Sequence, residues 1–130
     1  MKFYCVKCEK EIIARLTDGE EIYSHRPDLY DLPFWVCDGC KNYIGCHHKT
    51  KNRTQPLGRN IPTKELRNAR QQIHKILDPI WKSKKMKRKK LYNLIAEKMG
   101  RKKYHTGDMY SMNEARKVYQ VVAEINNSLI

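Results

Sequence analysis

Long apolar runs are missing from this 130-residue chain: no stretch of hydrophobic residues exceeds a few positions. A membrane-spanning helix needs about 20 such residues in a row, so no span is expected. The N-terminus, MKFYCVKCEK, also lacks the apolar centre of a secretory signal. Both absences point to a reducing, cytoplasmic setting, where cysteines in CxxC pairs serve metals more often than disulfides. No Walker-type loop is present, and no serine or cysteine sits in a triad pattern. Paired carboxylates in a basic setting, which a two-metal nuclease needs, are absent too. No repeat with a period of 20–50 residues is visible.

The scarcity that carries most is acidic. Residues 49–103 hold 19 Lys+Arg against 3 Asp+Glu, whereas residues 1–48 hold 6 against 8 and residues 104–130 hold 2 against 3. The formal charge of +13 thus belongs to the central segment. A field of one sign over one segment attracts polyanions, and nucleic acid is the commonest of these. Composition excludes a disordered tail, because 40% of the residues are hydrophobic.

Chemistry is concentrated in Cys5-x2-Cys8-x28-Cys37-x2-Cys40. Each CxxC lets one turn of backbone aim two sulfurs at the same ion, and two such knuckles close a tetrahedron. Zinc suits four thiolates because it has no redox chemistry and no geometric demand beyond four-coordination. Four thiolates leave no open position, so the expected ion is one structural Zn2+. CDGCKNYIGCHHKTK, residues 37–51, leaves Cys46, His47 and His48 over. Cys46 reads most simply as a packed thiol. The alternatives are that Cys46 or His47 replaces a CxxC member, or that His25, His47 and His48 hold a second metal.

Around the cysteines, EIIARLTDGEEIYS reads as a hairpin: Ile12, Ala14 and Leu16 alternate, Asp18-Gly19 turns, and Glu21–Ser24 returns. Arg26 to Pro33 is a loop, and Phe34-Trp35-Val36 is a short strand entering the second knuckle. That layout is a zinc ribbon over residues 1–48. Residues 49–62 form a polar, basic connector, and 63–130 a unit of three helices. The first starts near Thr63 and carries Leu66, Ala69, Ile73, Ile76 or Leu77, and Ile80, with Pro79 ending or kinking it at Asp78. The second carries Leu91, Leu94, Ile95 and Met99 and stops at Gly100. The third opens with the capping box Ser111-x-x-Glu114 and carries Ala115, Val118, Tyr119, Val122 and Ile125. The fold class expected is α+β, an N-terminal zinc ribbon packed on a C-terminal three-helix unit.

Seven cations fill the nine positions of KSKKMKRKK: Lys82, Lys84, Lys85, Lys87, Arg88, Lys89 and Lys90. With Arg101, Lys102 and Lys103 they bracket the second helix. Six to eight phosphate contacts of this kind give binding that falls about 10³-fold or more across physiological salt. Arg67, Arg70 and His74 share a helix face, where they clamp a phosphate or pair with ribbon acids such as Asp28 or Asp31. Docking is favoured beside an apolar stripe. Trp35 and Trp81 read as core fillers.

The sequence resembles the phage- and prophage-associated proteins grouped as a zinc-finger-containing domain of unknown function. The resemblance covers most of the chain: both CxxC pairs, YIGCHHKT (43–50), QPLG (55–58), ELRNARQQIHKILDPIW (65–81), LYNLIAEKMG (91–100) and YHTGDMYSMNEAR (104–116). Where that family reads a small residue and Asp after its Pro-Leu-Gly turn, this chain has Pro62-Thr63. The resemblance implies zinc binding and a phage setting, and no activity. The reading is therefore a zinc-stabilised, non-catalytic accessory protein that holds DNA or RNA by its backbone. The rival is a module docking on a host nucleic-acid enzyme or defence factor. The third reading is an HNH-like metal-dependent nuclease built on His47, His48 and His74.

Overall fold

The first strand sets the frame for everything N-terminal. In the computed structural model, which describes residues 1–129, β1 (Lys2–Cys5) buries Phe3 and Cys5 on one face. It pairs antiparallel with β2 (Lys10–Ile13), Phe3 opposite Ile12. The chain then leaves this sheet at Ala14, a small side chain that is fully enclosed. From there β3 (Arg15–Asp18) joins a second sheet, antiparallel to β4 (Pro33–Val36), which pairs in turn with β5 (Tyr43–Gly45). A last short strand, β6 (Asn60–Ile61), returns to lie parallel to β1. The two three-stranded sheets have the orders β2-β1-β6 and β3-β4-β5.

The hairpin expected at Asp18-Gly19 does not form. Asp18 ends β3 and caps a single helical turn, α1 (Gly19–Ile22), its Oδ1 accepting the amides of Glu20 and Glu21. An aspartate ahead of two glutamates satisfies a helix start as well as a turn. Glycine is needed at 19 for proximity: a Cβ there would sit 1.7 Å from the Leu29 carbonyl oxygen. The partner of β3 is thus β4, beyond a loop that holds a 3-10 turn, Pro27–Leu29. Leu16 consequently faces solvent, 46% exposed, although it continues the alternation of Ile12 and Ala14.

Residues 49–62, read as a connector, fold back on the strands. The His47 amide donates to the Gln55 carbonyl at 2.8 Å, the Leu57 amide to that of Gly45 at 3.0 Å, and Trp35 Nε1 to Thr54 O at 2.8 Å. With β6 they belong to a first unit spanning Met1–Lys64. Its core is Phe3, Cys5, Ala14, Cys37, Ile44 and Ile61, with Ile12, Trp35, Cys8 and Cys40 against it.

The second unit starts at Glu65 and is helical. Helix α2 (Lys64–Lys82) buries Leu66, Ile73, Leu77 and Ile80 at helical spacing. Each such side chain contributes about 1.5–3 kcal/mol on leaving water. Pro79 neither ends nor breaks this helix, which runs one turn further. The proline removes one hydrogen bond, to the Lys75 carbonyl, on a face where both residues are exposed and water can replace it. The Asp78 carboxylate meanwhile accepts from Trp81 Nε1 at 3.2 Å and lies 3.1 Å from His74 Nδ1, spanning the proline turn.

Helix α3 (Arg88–Lys98) stops as expected at Gly100, φ +71°. The amides of Gly100 and Arg101 return to the carbonyls of Glu97 and Ala96, the two bonds of a Schellman close. Helix α4 (Met112–Ser128) begins at Ser111, whose Oγ accepts the Glu114 amide at 3.1 Å. The other half of the capping box differs: Glu114 Oε1 accepts from the Tyr110 amide, one residue before the cap. Val121, not Tyr119, completes the buried stripe; Tyr119 is 45% exposed.

Candidate metal centre and cationic surface

The two CxxC turns are built alike. In each, the residue after the second cysteine adopts a left-handed backbone, Glu9 at φ 56° and Lys41 at φ 65°. Each of these amides donates to the carbonyl of the first cysteine, Glu9 to Cys5 at 2.8 Å and Lys41 to Cys37 at 2.7 Å. This closes a tight loop with both sulfurs on its inner side. Asp38 anchors the second loop. Its carboxylate takes two bonds from the Arg15 guanidinium, at 3.0 and 2.9 Å, and one from Lys41 at 3.1 Å. The hydrogen bonds from Arg15, followed by that from Lys41, hold this carboxyl well below the usual range. Arg15 also pairs bidentately with Glu21, so one side chain ties β3, α1 and the second knuckle.

The ligand atoms of Cys5, Cys8, Cys37 and Cys40 all lie within 4.8 Å of one another. Cys5 Sγ is 3.5 Å from Cys40 Sγ, and Cys8 Sγ is 3.8 Å from Cys37 Sγ. A zinc–sulfur bond of about 2.3 Å gives tetrahedral edges of about 3.8 Å, so these separations fit. Cys5 and Cys37 are buried, while Cys8 and Cys40 are partly exposed. Burial pushes the Cys5 thiol up to about 12. Burial acts the same way on Cys37, but the amides of Cys40 and Gly39 outweigh it and hold that thiol below its ordinary value. Uncompensated, four thiolates in this space would repel one another. A divalent cation supplies the missing charge. The four cysteines fit one structural zinc ion, with every coordination position taken by protein.

Cys46, His47, His48 and His25 do not join this group, which is the one metal-competent cluster among the described residues. Cys46 is buried and pairs through its backbone with Pro56. His48 Nδ1 lies 3.3 Å from the Cys46 carbonyl, and His47 and His25 are exposed.

The cationic residues lie in the second unit. Lys82 ends α2, Lys84 and Lys85 form the turn, Lys87 caps α3, and Arg88, Lys89 and Lys90 make its first turn. All seven are exposed, as are Lys102 and Lys103 beyond Gly100. Arg101 is committed inward, its Nη1 2.9 Å from buried Glu114 Oε2 and its guanidinium over the Tyr104 ring. Arg70 donates to the carbonyls of Gly107 and Met109 at 3.1 and 2.6 Å, and burial lowers its pKa. His74 lies between Asp78 and the Thr106 hydroxyl, at 3.1 and 3.0 Å. These bonds of Arg70 and His74 lie inside the helical unit. Asp28 holds Arg26 in the first unit. Arg67 is half-buried.

Trp81 is not a core filler. It is half-buried and bonded to Asp78, with Lys82 Nζ 5.5 Å and the Arg88 guanidinium 5.2 Å from its ring centre. The same guanidinium lies 5.4 Å from Tyr92. Arg88 comes seven positions after Trp81, across a turn between two helices, so helical spacing gave no hint of this stack. Trp35 does pack on the first unit's core, its ring 6.0 Å from Phe3.

Two small sheets around a closed four-cysteine site, followed by helices, define an α+β zinc-finger protein. The chain belongs to the zinc-finger-containing domain family whose model matches residues 1–125, a family of unknown function. Comparison with curated proteins and with solved structures gave no match. No helix among the described residues is long and apolar enough to cross a membrane.

Proposed function

We propose that this zinc-finger protein is a non-catalytic nucleic-acid-binding accessory factor of phage type, working in a reducing cytoplasm. Its contacts run through Lys82, Lys84, Lys85, Lys87, Arg88, Lys89 and Lys90, with Lys102 and Lys103 at the far end of α3. The observation that carries the reading is the charge at the start of α3. Its cap and first turn hold four cations, with no acidic residue and no side-chain cap. The helix dipole disfavours cations there, by about 0.3–1 kcal/mol each. Amide donors and cations together make a surface complementary to phosphate oxygens. The closed thiolate site keeps the ion out of the chemistry and supports a structural role for it. The phage setting rests on the sequence resemblance.

Labelled DNA and RNA, single- and double-stranded, titrated at two salt concentrations test this. Micromolar binding with a steep salt dependence supports it, and reversal of Lys84, Lys85 and Lys87 to Glu should abolish that binding with little change in thermal midpoint. No binding at low salt overturns it. A protein retained from nuclease-treated lysate would then mark an acidic protein surface as the partner.

A further inference from the structure

The cationic turn is not only cationic. Trp81 stands at its N-terminal edge, immediately before Lys82, and is not among the buried residues of α2, which are Leu66, Ile73, Leu77 and Ile80. One residue past Ile80 and four past Leu77, the indole lies at the edge of that stripe, about 70° from its centre. There it lies half-buried, in a segment whose every Lys and Arg is exposed. The Arg88 guanidinium lies over both the indole and the Tyr92 ring, at 5.2 and 5.4 Å, and Lys82 Nζ lies over the indole at 5.5 Å. A guanidinium over an aromatic ring extends one flat, polarisable surface, the kind on which unpaired bases stack. Lysines flank it on both sides in sequence, Lys82, Lys84, Lys85 and Lys87 before Arg88, Lys89 and Lys90 after it.

We infer that the nucleic acid held by this surface is single-stranded, an unpaired base stacking on the Trp81–Arg88 platform while the flanking lysines take the neighbouring phosphates. The inference rests on the nucleic-acid reading above and names its substrate class. A duplex offers phosphates to the lysines but no free base face, because its bases already stack on one another. An unpaired strand offers both. Stacking against an aromatic side chain is sequence-tolerant, so the class specified is any flexible single strand, DNA or RNA.

Salt separates stacking from charge. Each lost phosphate contact flattens the dependence of affinity on salt, by about 0.7 in logarithmic slope for a single strand. A lost stack lowers affinity and leaves the slope alone. Fluorescence anisotropy of a labelled oligothymidylate and of a duplex of equal length, across a salt series, is the experiment. The wild type should bind the single strand more tightly than the duplex. Trp81→Ala should weaken single-strand binding by about tenfold or more at unchanged slope, with little effect on the duplex. Trp81→Phe should restore most of the loss. Titration should quench an indole signal that is missing in Trp81→Phe. Arg88→Lys, which keeps the charge and removes the plane, is a second probe that leaves Trp81 in place, and it too should weaken the single strand at unchanged slope. Thermal midpoints and helical circular dichroism show whether each variant is folded.

Equal affinity for duplex and single strand, or folded Trp81→Ala and Arg88→Lys binding as the wild type does, overturns the inference. If reversal of Lys84, Lys85 and Lys87 still abolishes binding in that case, the broader nucleic-acid reading survives alone. If no nucleic acid binds at low salt, both fall.

Discussion

Glu9 and Lys41 occupy equivalent positions in two separate metal knuckles, each in a left-handed conformation that non-glycine residues seldom adopt. Each donates its amide to the carbonyl of the cysteine four residues earlier, so the turn imposes the backbone, and at Glu9 the side chain is incidental. Glu9→Gly should therefore stabilise the first unit by about 0.5–1 kcal/mol, with a rise of a few degrees in thermal midpoint. Glu9→Val should do the reverse. Equal midpoints for the three proteins would show that the turn relaxes without cost.

Zinc content is the second expectation. Purified protein should carry about one equivalent of zinc by elemental analysis. A strong chelator should collapse the first unit, because Cys5 and Cys37 are both ligands and core members. The helical dichroism of α2, α3 and α4 should largely persist. Cys8→Ser should reproduce the chelator's effect. Cys46→Ala should keep the full zinc equivalent and cost only about 1 kcal/mol for a small buried group. A fractional zinc content in Cys46→Ala would make Cys46 a ligand.

Glu114 gathers the loop before α4. Its carboxylate accepts from the Tyr110 amide and the Tyr104 hydroxyl, both at 3.1 Å, and pairs with Arg101 at 2.9 Å. Glu114→Ala strands three donors, one of them a cation that is only half covered. A loss of about 2–3 kcal/mol by denaturant titration is expected. Glu114→Gln, which keeps one acceptor oxygen but turns the other into a donor and removes the charge, should lose less than Glu114→Ala.

Alkaline pH provides the fourth test. Burial, and then the neighbouring Glu114 charge, raise the Tyr104 phenol well above its ordinary value. A raised folded-state pKa on an acid means that the neutral form is stabilised. That stability is complete below pH of about 10, where a free tyrosine titrates, and is lost as pH rises towards the folded value. Phenolate absorbance should show a late-ionising fraction from Tyr104, and also from Tyr92, which burial raises too. Tyr104→Phe should remove part of that fraction and flatten the alkaline fall in stability. A single phenolate step near pH 10 in the wild type contradicts this account.

Local chemistry was readable in one dimension wherever its partners are near in sequence. CxxC aims two sulfurs within a single turn, Ser111 reaches an amide three residues on, and Gly100 closes its own helix. The helical stripes followed for the same reason, apart from Tyr119 and Val121, which flank the α4 stripe on opposite sides and whose burial depends on what faces them. The hairpin was misread because Asp-Gly serves a turn and a helix cap equally well. The choice was made elsewhere, by the Leu29 carbonyl against Gly19 and by β4 alongside β3. Pro79 does not end its helix, since Asp78 and the exposed face lower its cost there.

Taken alone, the order of residues determined the ligand set, the helical segments and the charge of residues 49–103, because spacing and composition are properties of the chain itself. Tertiary structure alone decided which strands pair, that β6 returns to β1 across more than fifty residues, and that Arg70, His74 and Arg101 turn inward while Trp81 meets Arg88. Those outcomes depend on which surfaces meet once the units close, and an unpaired strand edge or a lone guanidinium carries no record in sequence of the partner it will find.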